Sequence, residues 1–263
     1  MRFLGASLIV FLILFLFKLP KQITKKQAIN SIIGGTLFLG LGNGGVAFAL
    51  QYVDSGYTAL LIAAQPLILL IMMWINDRKP LPLASWIGVF LGIAGIFLLV
   101  SQNELVNREG QWLGMVIIFF CLLSWGIGSI FVSRADLPKP FLNSAIQMFT
   151  GGVITGAISL TIEGTSFDLS TVDTNTWLSL GFLMFFGSVL AFTAFNYLLT
   201  SDVSPEKVAT STYVNPIIAL FLGWYFREEL VTAQSIIAAV ILLSGVYFIN
   251  TNKLKGRPLR KRI

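Results

Sequence analysis

Two short runs of this chain set an amide beside a proline inside an apolar helix: "AQPLILLIMMW" at 64–74 and "VNPIIALFLGW" at 214–224. Pro66 and Pro216 are 150 residues apart, and so are Trp74 and Trp224. An interior proline removes a backbone hydrogen bond and drives its ring against the carbonyl four residues back, costing about 3 kcal/mol in water. The carbonyls so freed are those of Ile62 and Thr212. In a membrane such groups are tolerated where protein, hydroxyls or water satisfy them again. Each proline falls near the middle of its apolar run, and Gln65 and Asn215 add a donor and an acceptor beside it. Gln65, Pro66, Asn215 and Pro216 are therefore expected to form a central polar site or a pair of hinges. The competing expectation is two inherited packing kinks.

Other polar side chains lie deep in apolar runs: Asn43, Gln51, Ser124, Ser129, Gln147, Ser188, Asn196, Thr210, Ser211 and Tyr213. Each is expected either to line a solute path or to tie helices together, at about 0.6–2 kcal/mol per bond. Gln147, in the glycine-rich "AIQMFTGG", leans to the second role. Trp125, after Ser124 in "SWGIGS", could supply an aromatic wall, while Trp74 and Trp224 near helix ends read as interfacial anchors.

The chemistry that is missing matters as much. There is no histidine and one cysteine, Cys121, within an apolar run. This excludes imidazole catalysis, a disulfide framework and a Cys/His zinc site. No DDxxD or GxSxG pattern occurs, so an enzyme is not expected, and no cofactor or metal is implied. None of the twelve acidic residues lies mid-span, and Asp54 and Asp202 sit at helix ends. Proton coupling through an embedded acid thus has no candidate, which favours uncoupled movement of a neutral or zwitterionic solute.

These residues need elements to hold them. The 263-residue chain is 56% hydrophobic and only 11% charged, with a mean hydropathy of +0.82. Soluble domains carry about 25% charge, so this is an integral membrane protein. Nine apolar segments are each long enough to span: 2–18, 28–50, 55–76, 82–101, 111–132, 140–163, 175–199, 205–226 and 231–250. The breaks between them are short and carry turn residues, as in "DRKPLP", "RADLPKP" and "SDVSPEK".

With alternate loops on alternate sides, fifteen of the lysines and arginines fall on one side and only Arg2, Arg108 and Arg227 on the other. The positive-inside rule makes the rich side cytoplasmic, with a cytoplasmic C-terminus. The basic tail, "KLKGRPLRKR", is expected to lie against anionic headgroups rather than nucleic acid.

The echo that joins the two prolines extends further. "FLGIAGIFLL" at 90–99 answers "VILLSGVYFI" at 240–249, with Gly95 matched to Gly245. "MRFLGASLIVF" at 1–11 answers "QMFTGGVITGA" at 147–157, and "VAFALQY" at 46–52 answers "AFTAFNY" at 191–197. Corresponding loops fall on opposite sides of the membrane, so the halves read as inverted-topology repeats, with a substrate path where they meet. The expected fold is an all-α polytopic helix bundle. Residues 1–102 form the first repeat, 103–110 a loop, 111–250 the second repeat and 251–263 the tail. Segment 111–132 has no partner in the first half.

The stretches "RFLGASLIVF", "LGNGGVAFALQYVDSGYTALLIAAQPL", "WIGVFLGIAGIFLL", "LSWGIGSIFVSR", "FGSVLAFTAFNYLL" and "VSPEKVATSTYVNPIIALFLG" together resemble the EamA-type branch of the drug/metabolite transporter superfamily. The resemblance covers most of residues 2–250 and rests on order and spacing. It implies ten helices in two inverted five-helix halves, and movement of small metabolites or drugs, typically export, across the inner membrane. In the family "RF" opens the second helix, so a first helix is expected ahead of residue 1. A chain working without it could instead be a remnant or an interaction partner that transports nothing. Substrate, coupling and oligomeric state are left open by these residues.

Overall fold

A computed structural model describes residues 1–20, 22–53, 58, 61–78, 82–101, 110–162, 172–201, 203, 205–209, 211, 218 and 233–251. The elements among them are helices: α1 (Arg2–Leu16), α2 (Lys25–Ala49), α3 (Gln65–Asp77), α4 (Leu83–Val100), α5 (Gln111–Arg134), α6 (Pro140–Ile162), α7 (Thr174–Leu199), the short α8 (Pro205–Ala209) and α9 (Ala233–Thr251). No strand occurs among the described residues. The apolar runs set these helices because, in hydrocarbon, a helix satisfies all its backbone groups within itself. Helices α2, α5, α6 and α7 are long and apolar enough to cross a membrane; α1, α3, α4 and α9 contain shorter apolar helices. Leu8, Phe15, Phe90, Phe97, Phe120 and Tyr247 all stand exposed, the outward apolar surface that lipid chains cover.

Helix starts follow local chemistry. Thr24 caps α2 in a reciprocal box: Gln27 N–H donates to Thr24 Oγ1 at 3.2 Å, and Thr24 N–H donates to Gln27 Oε1 at 3.1 Å. Asp173 caps α7 by accepting from Asn175 N–H at 3.2 Å. The middles are less regular. Residues Thr36–Asn43 of α2 and Leu183–Leu190 of α7 are each wound as an eight-residue π-turn. Their starts are 147 residues apart, close to the spacing of the sequence echo.

The chain divides into two units. The first comprises Met1–Gly44 with Gly128–Ser201, the second Gly45–Ile127 with Asp202–Ile263. In the first unit α1 packs on α6 and on the π-turn of α7, and α2 packs on α6. The α2–α6 crossing is close enough to require glycine. A Cβ on Gly35 would stand 2.6 Å from the Gln147 carbonyl oxygen and 2.7 Å from its Cα. Backbone cannot yield as a side-chain tip can, so glycine alone fits there.

In the second unit the dominant pair is α4 against α9. A Cβ on Gly95 would meet Leu242 Cγ at 2.8 Å and Ala238 O at 3.1 Å. A Cβ on Gly245 would meet Gly88 O at 2.8 Å and Gly92 N at 3.1 Å. A shift of 150 residues turns Gly88, Gly92 and Gly95 into Ala238, Leu242 and Gly245. The same contact is therefore made twice, once from each helix, as in an interface with a two-fold axis. The helices run antiparallel, since higher numbers on one meet lower numbers on the other. Repeat-related helices packed antiparallel are what inverted topology requires. In the same unit Ala49, Val53, Ile118 and Leu122 form a buried cluster.

Candidate functional site

The sequence places a proline kink mid-way along a helix over 55–76. The structure interrupts the helix for two residues there, with Ala64 still in right-handed helical geometry. Residues 61–62 are helical, 63–64 form a turn, and α3 starts at Gln65 with Pro66 in its first turn. Ala64 N–H donates back to Leu61 O at 3.0 Å, and Ile68 N–H to Ala64 O at 3.2 Å. Pro66 has no N–H to give to Ile62 and its ring would strike that carbonyl, so the chain restarts the helix with proline where a missing donor costs least.

Gln65 stands at this break only 5% exposed, and neither its Nε2 nor its Oε1 has a hydrogen-bond partner among the described residues. Leaving a buried amide unpaired costs on the order of 1–3 kcal/mol per group. Its Nε2 lies 3.8 Å from where a Cβ on Gly126 would stand. The amide thus reaches the part of α5 that carries buried Ser124 and half-buried Trp125. Gln65 approaches α5 at Gly126, and Ser124 and Trp125 stand on the same helix in the second unit. The buried Thr58 hydroxyl in the same unit is also unpartnered. Ser211 is exposed and donates to Val208 O at 2.9 Å, just past α8, which packs on α3. Tyr213, Asn215 and Pro216 lie outside the described residues. Asn43 is half-buried at the end of the α2 π-turn, and Gln51 is exposed beyond α2.

In the first unit a second polar group is built from α2, α6 and α7. Asn143 is its hub, and sequence reasoning passed it over. Its Oδ1 accepts from the Ser31 hydroxyl at 2.8 Å and from Gln147 Nε2 at 3.3 Å. Its Nδ2 donates to Asn196 Oδ1 at 3.1 Å, and Asn196 Nδ2 donates to Phe192 O at 3.3 Å. Ser31, Asn143, Gln147 and Asn196 are all 0% exposed. Only Gln147 Oε1 is left without a partner. Asn143 lies three residues into α6 and reads as an interfacial position from sequence. The usable signal was its four-residue spacing from Gln147, which puts both amides on one helix face.

A third feature was assigned to a loop by the charge count. Arg2 is the first residue of α1, and its Nε donates to Ser188 Oγ at 2.9 Å, its Nη2 to Gly187 O at 3.3 Å. Ser188 lies in the π-turn of α7 and is 1% exposed. The Arg2 guanidinium also lies 5.1 Å from the centre of its neighbour's ring, Phe3. Among the described residues no group of three His, Cys, Asp or Glu side chains could hold a metal ion.

An interrupted helix and antiparallel packing of repeat-related helices are features of many transporter folds. Comparison with known proteins shows the family. The EamA-like transporter family matches residues 1–101 and again 112–251. The inner membrane transporter YedA of Escherichia coli (strain K12) is 33% identical over 258 residues, covering 96% of this chain and 80% of YedA. The transporter YoaV of Bacillus subtilis (strain 168) is 26% identical over 262 residues, covering 98% of this chain and 87% of YoaV. One solved crystal structure superposes with a TM-score of 0.76 at 16% identity, over 95% of this chain and 89% of the other, which speaks to the fold. With both halves of the chain matched and a transporter aligned over 96% of this chain, the chain belongs to the EamA-like transporter family.

Proposed function

We propose that this membrane transporter exports small neutral or zwitterionic solutes across the cytoplasmic membrane, and that the solute is bound at the break before α3. The carrying observation is Gln65, a buried amide with no partner beside a helix start. A folded chain that tolerates two unpaired polar atoms at this depth is best explained by a ligand that pairs them in the working cycle. The interruption at Pro66 supports the same reading, because transporters place discontinuous helices at their substrate sites. Ser124 and Trp125 on α5 would flank the solute. The repeat-related Asn215 and Pro216, with Tyr213 and Ser211, would complete the path between two inverted repeats, 1–102 and 111–250. The lysine and arginine asymmetry supports a cytoplasmic C-terminus whose basic tail lies on anionic lipid.

The test is exit of labelled amino acids, nucleobases and a cationic dye from loaded cells expressing the chain. Cells carrying Gln65→Leu with Asn215→Leu are the control. Faster exit of one solute class, lost in the double variant at equal membrane abundance, is the expected result. Unaltered exit in the double variant would move the site away from the helix breaks, and no accelerated exit of any class would count against transport itself.

A further inference from the structure

We propose that Arg2 binds the carboxylate of a transported solute inside the membrane. The inference rests on the chain working as a transporter, and it is independent of the Gln65 site.

Depth comes first. Ser188, which accepts from Arg2, lies roughly 21 Å along α7 from Thr174 and roughly 16 Å from Leu199 at 1.5 Å per residue. The hydrocarbon layer is about 30 Å thick, so this contact lies near its middle. A second contact agrees: a Cβ on Gly152, midway along α6, would touch Leu4, two residues after Arg2. A guanidinium here is far from phosphate headgroups, and the ligand must be brought by a solute.

Charge comes second. The partners of Arg2 are a hydroxyl and a backbone carbonyl, both neutral, and the nearby ring of Phe3. No carboxylate pairs with it among the described residues. Arginine stays protonated in proteins, and a charge within a membrane is retained where function needs it. The two bonds to α7 hold the residue in place without neutralising it.

Geometry comes third. Nε–H and the adjacent Nη2–H lie along one edge of the planar guanidinium, and this edge faces the π-turn of α7. The other edge, formed by Nη1 and the second Nη2 proton, makes no hydrogen bond among the described residues. Two parallel N–H donors are the fork that grips a carboxylate in a bidentate pair. The π-turn has a part in this, because it presents the Gly187 carbonyl and Ser188 hydroxyl side by side. Ser188 is thus a positioning residue and Arg2 the binding one.

The experiment uses the full chain purified in detergent. Its melting temperature is followed with three matched probe sets: free L-amino acids and 2-oxo acids, the corresponding primary amides, and the decarboxylated amines. Stabilisation by one or more acids, with tenfold weaker or no response to the matched amide, is expected. Arg2→Gln should abolish the response and Arg2→Lys should retain a minor part, as a point charge without the fork. Equal responses to acid and amide, or silence from every acid, would overturn the proposal. Because the acid–amide comparison uses the unaltered chain, it decides even if Arg2→Gln folds poorly. Loss of exit in Gln65→Leu with acid binding kept would separate this site from the helix break. Neutral-solute exit that survives Arg2→Gln, without any acid selectivity, would leave transport standing and remove Arg2 from it.

Discussion

Asn143 is the residue whose loss reaches furthest, because three of its neighbours use it. Asn143→Leu removes one bond each from Ser31, Gln147 and Asn196, all fully buried, while Ser31 keeps Gln27 O and Asn196 keeps Phe192 O. The expected loss of stability is about 1–3 kcal/mol, read as a lower melting temperature in detergent. Gln65→Leu should behave in the opposite way. It removes an amide that has no partner, so melting should hold or rise while solute exit falls. Measuring both variants for both properties separates a tie between helices from a group kept for a ligand. The sequence made Gln147 and Asn196 visible, since an amide in an apolar run stands out by type alone. It did not reveal which of them bond, because Asn143 sits near a helix start and Ser31 is too ordinary a residue to attract notice. Arg2 was counted with the loop charges for a related reason: its type and its place at the edge of an apolar run carry no sign of the bonds it makes to Ser188 and Gly187 in α7.

At the scale of elements, apolar runs were legible because hydrocarbon leaves the backbone few choices, and most of the expected spans have helices in the structure. The interruption before α3 was legible in its cause: Pro66 was expected to kink a helix, and the helical ladder is interrupted for two residues just ahead of it. The two π-turns had no sequence signal, since a π-turn is a one-residue change of hydrogen-bond register with little compositional cost. Pro66→Ala restores the missing donor and removes the clash with the Ile62 carbonyl. We expect this variant to melt no lower than the parent and to move solute more slowly, as the interruption beside buried Gln65 closes. A variant that melts lower and transports normally would assign Pro66 to packing.

At the scale of the whole molecule, the paired glycines Gly95 and Gly245 were visible in the sequence echo, but their meeting partners were not. Contact between distant helices is a property of packing, which weak letter-by-letter similarity cannot supply. The structure adds that each glycine touches the other's helix at shifted equivalents of the same positions. The symmetry is unequal in one respect. Gly245 meets backbone atoms of Gly88 and Gly92, whereas Gly95 first meets a leucine side chain that can move. Gly245→Ala should therefore cost about 1–3 kcal/mol and Gly95→Ala less, with unfolding in detergent as the readout. Antiparallel inversion can be tested by cross-linking in a Cys121→Ser background, where no native thiol interferes. One double variant joins Gly95→Cys with Leu242→Cys, and its repeat-related twin joins Gly92→Cys with Gly245→Cys. Both should oxidise to closed loops that migrate faster on denaturing gels. If α4 and α9 ran parallel, seating Gly95 beside Leu242 would put Gly92 beside Ala239, several residues from Gly245. Only the first pair could then close, so the second decides whether the two halves are related by inversion.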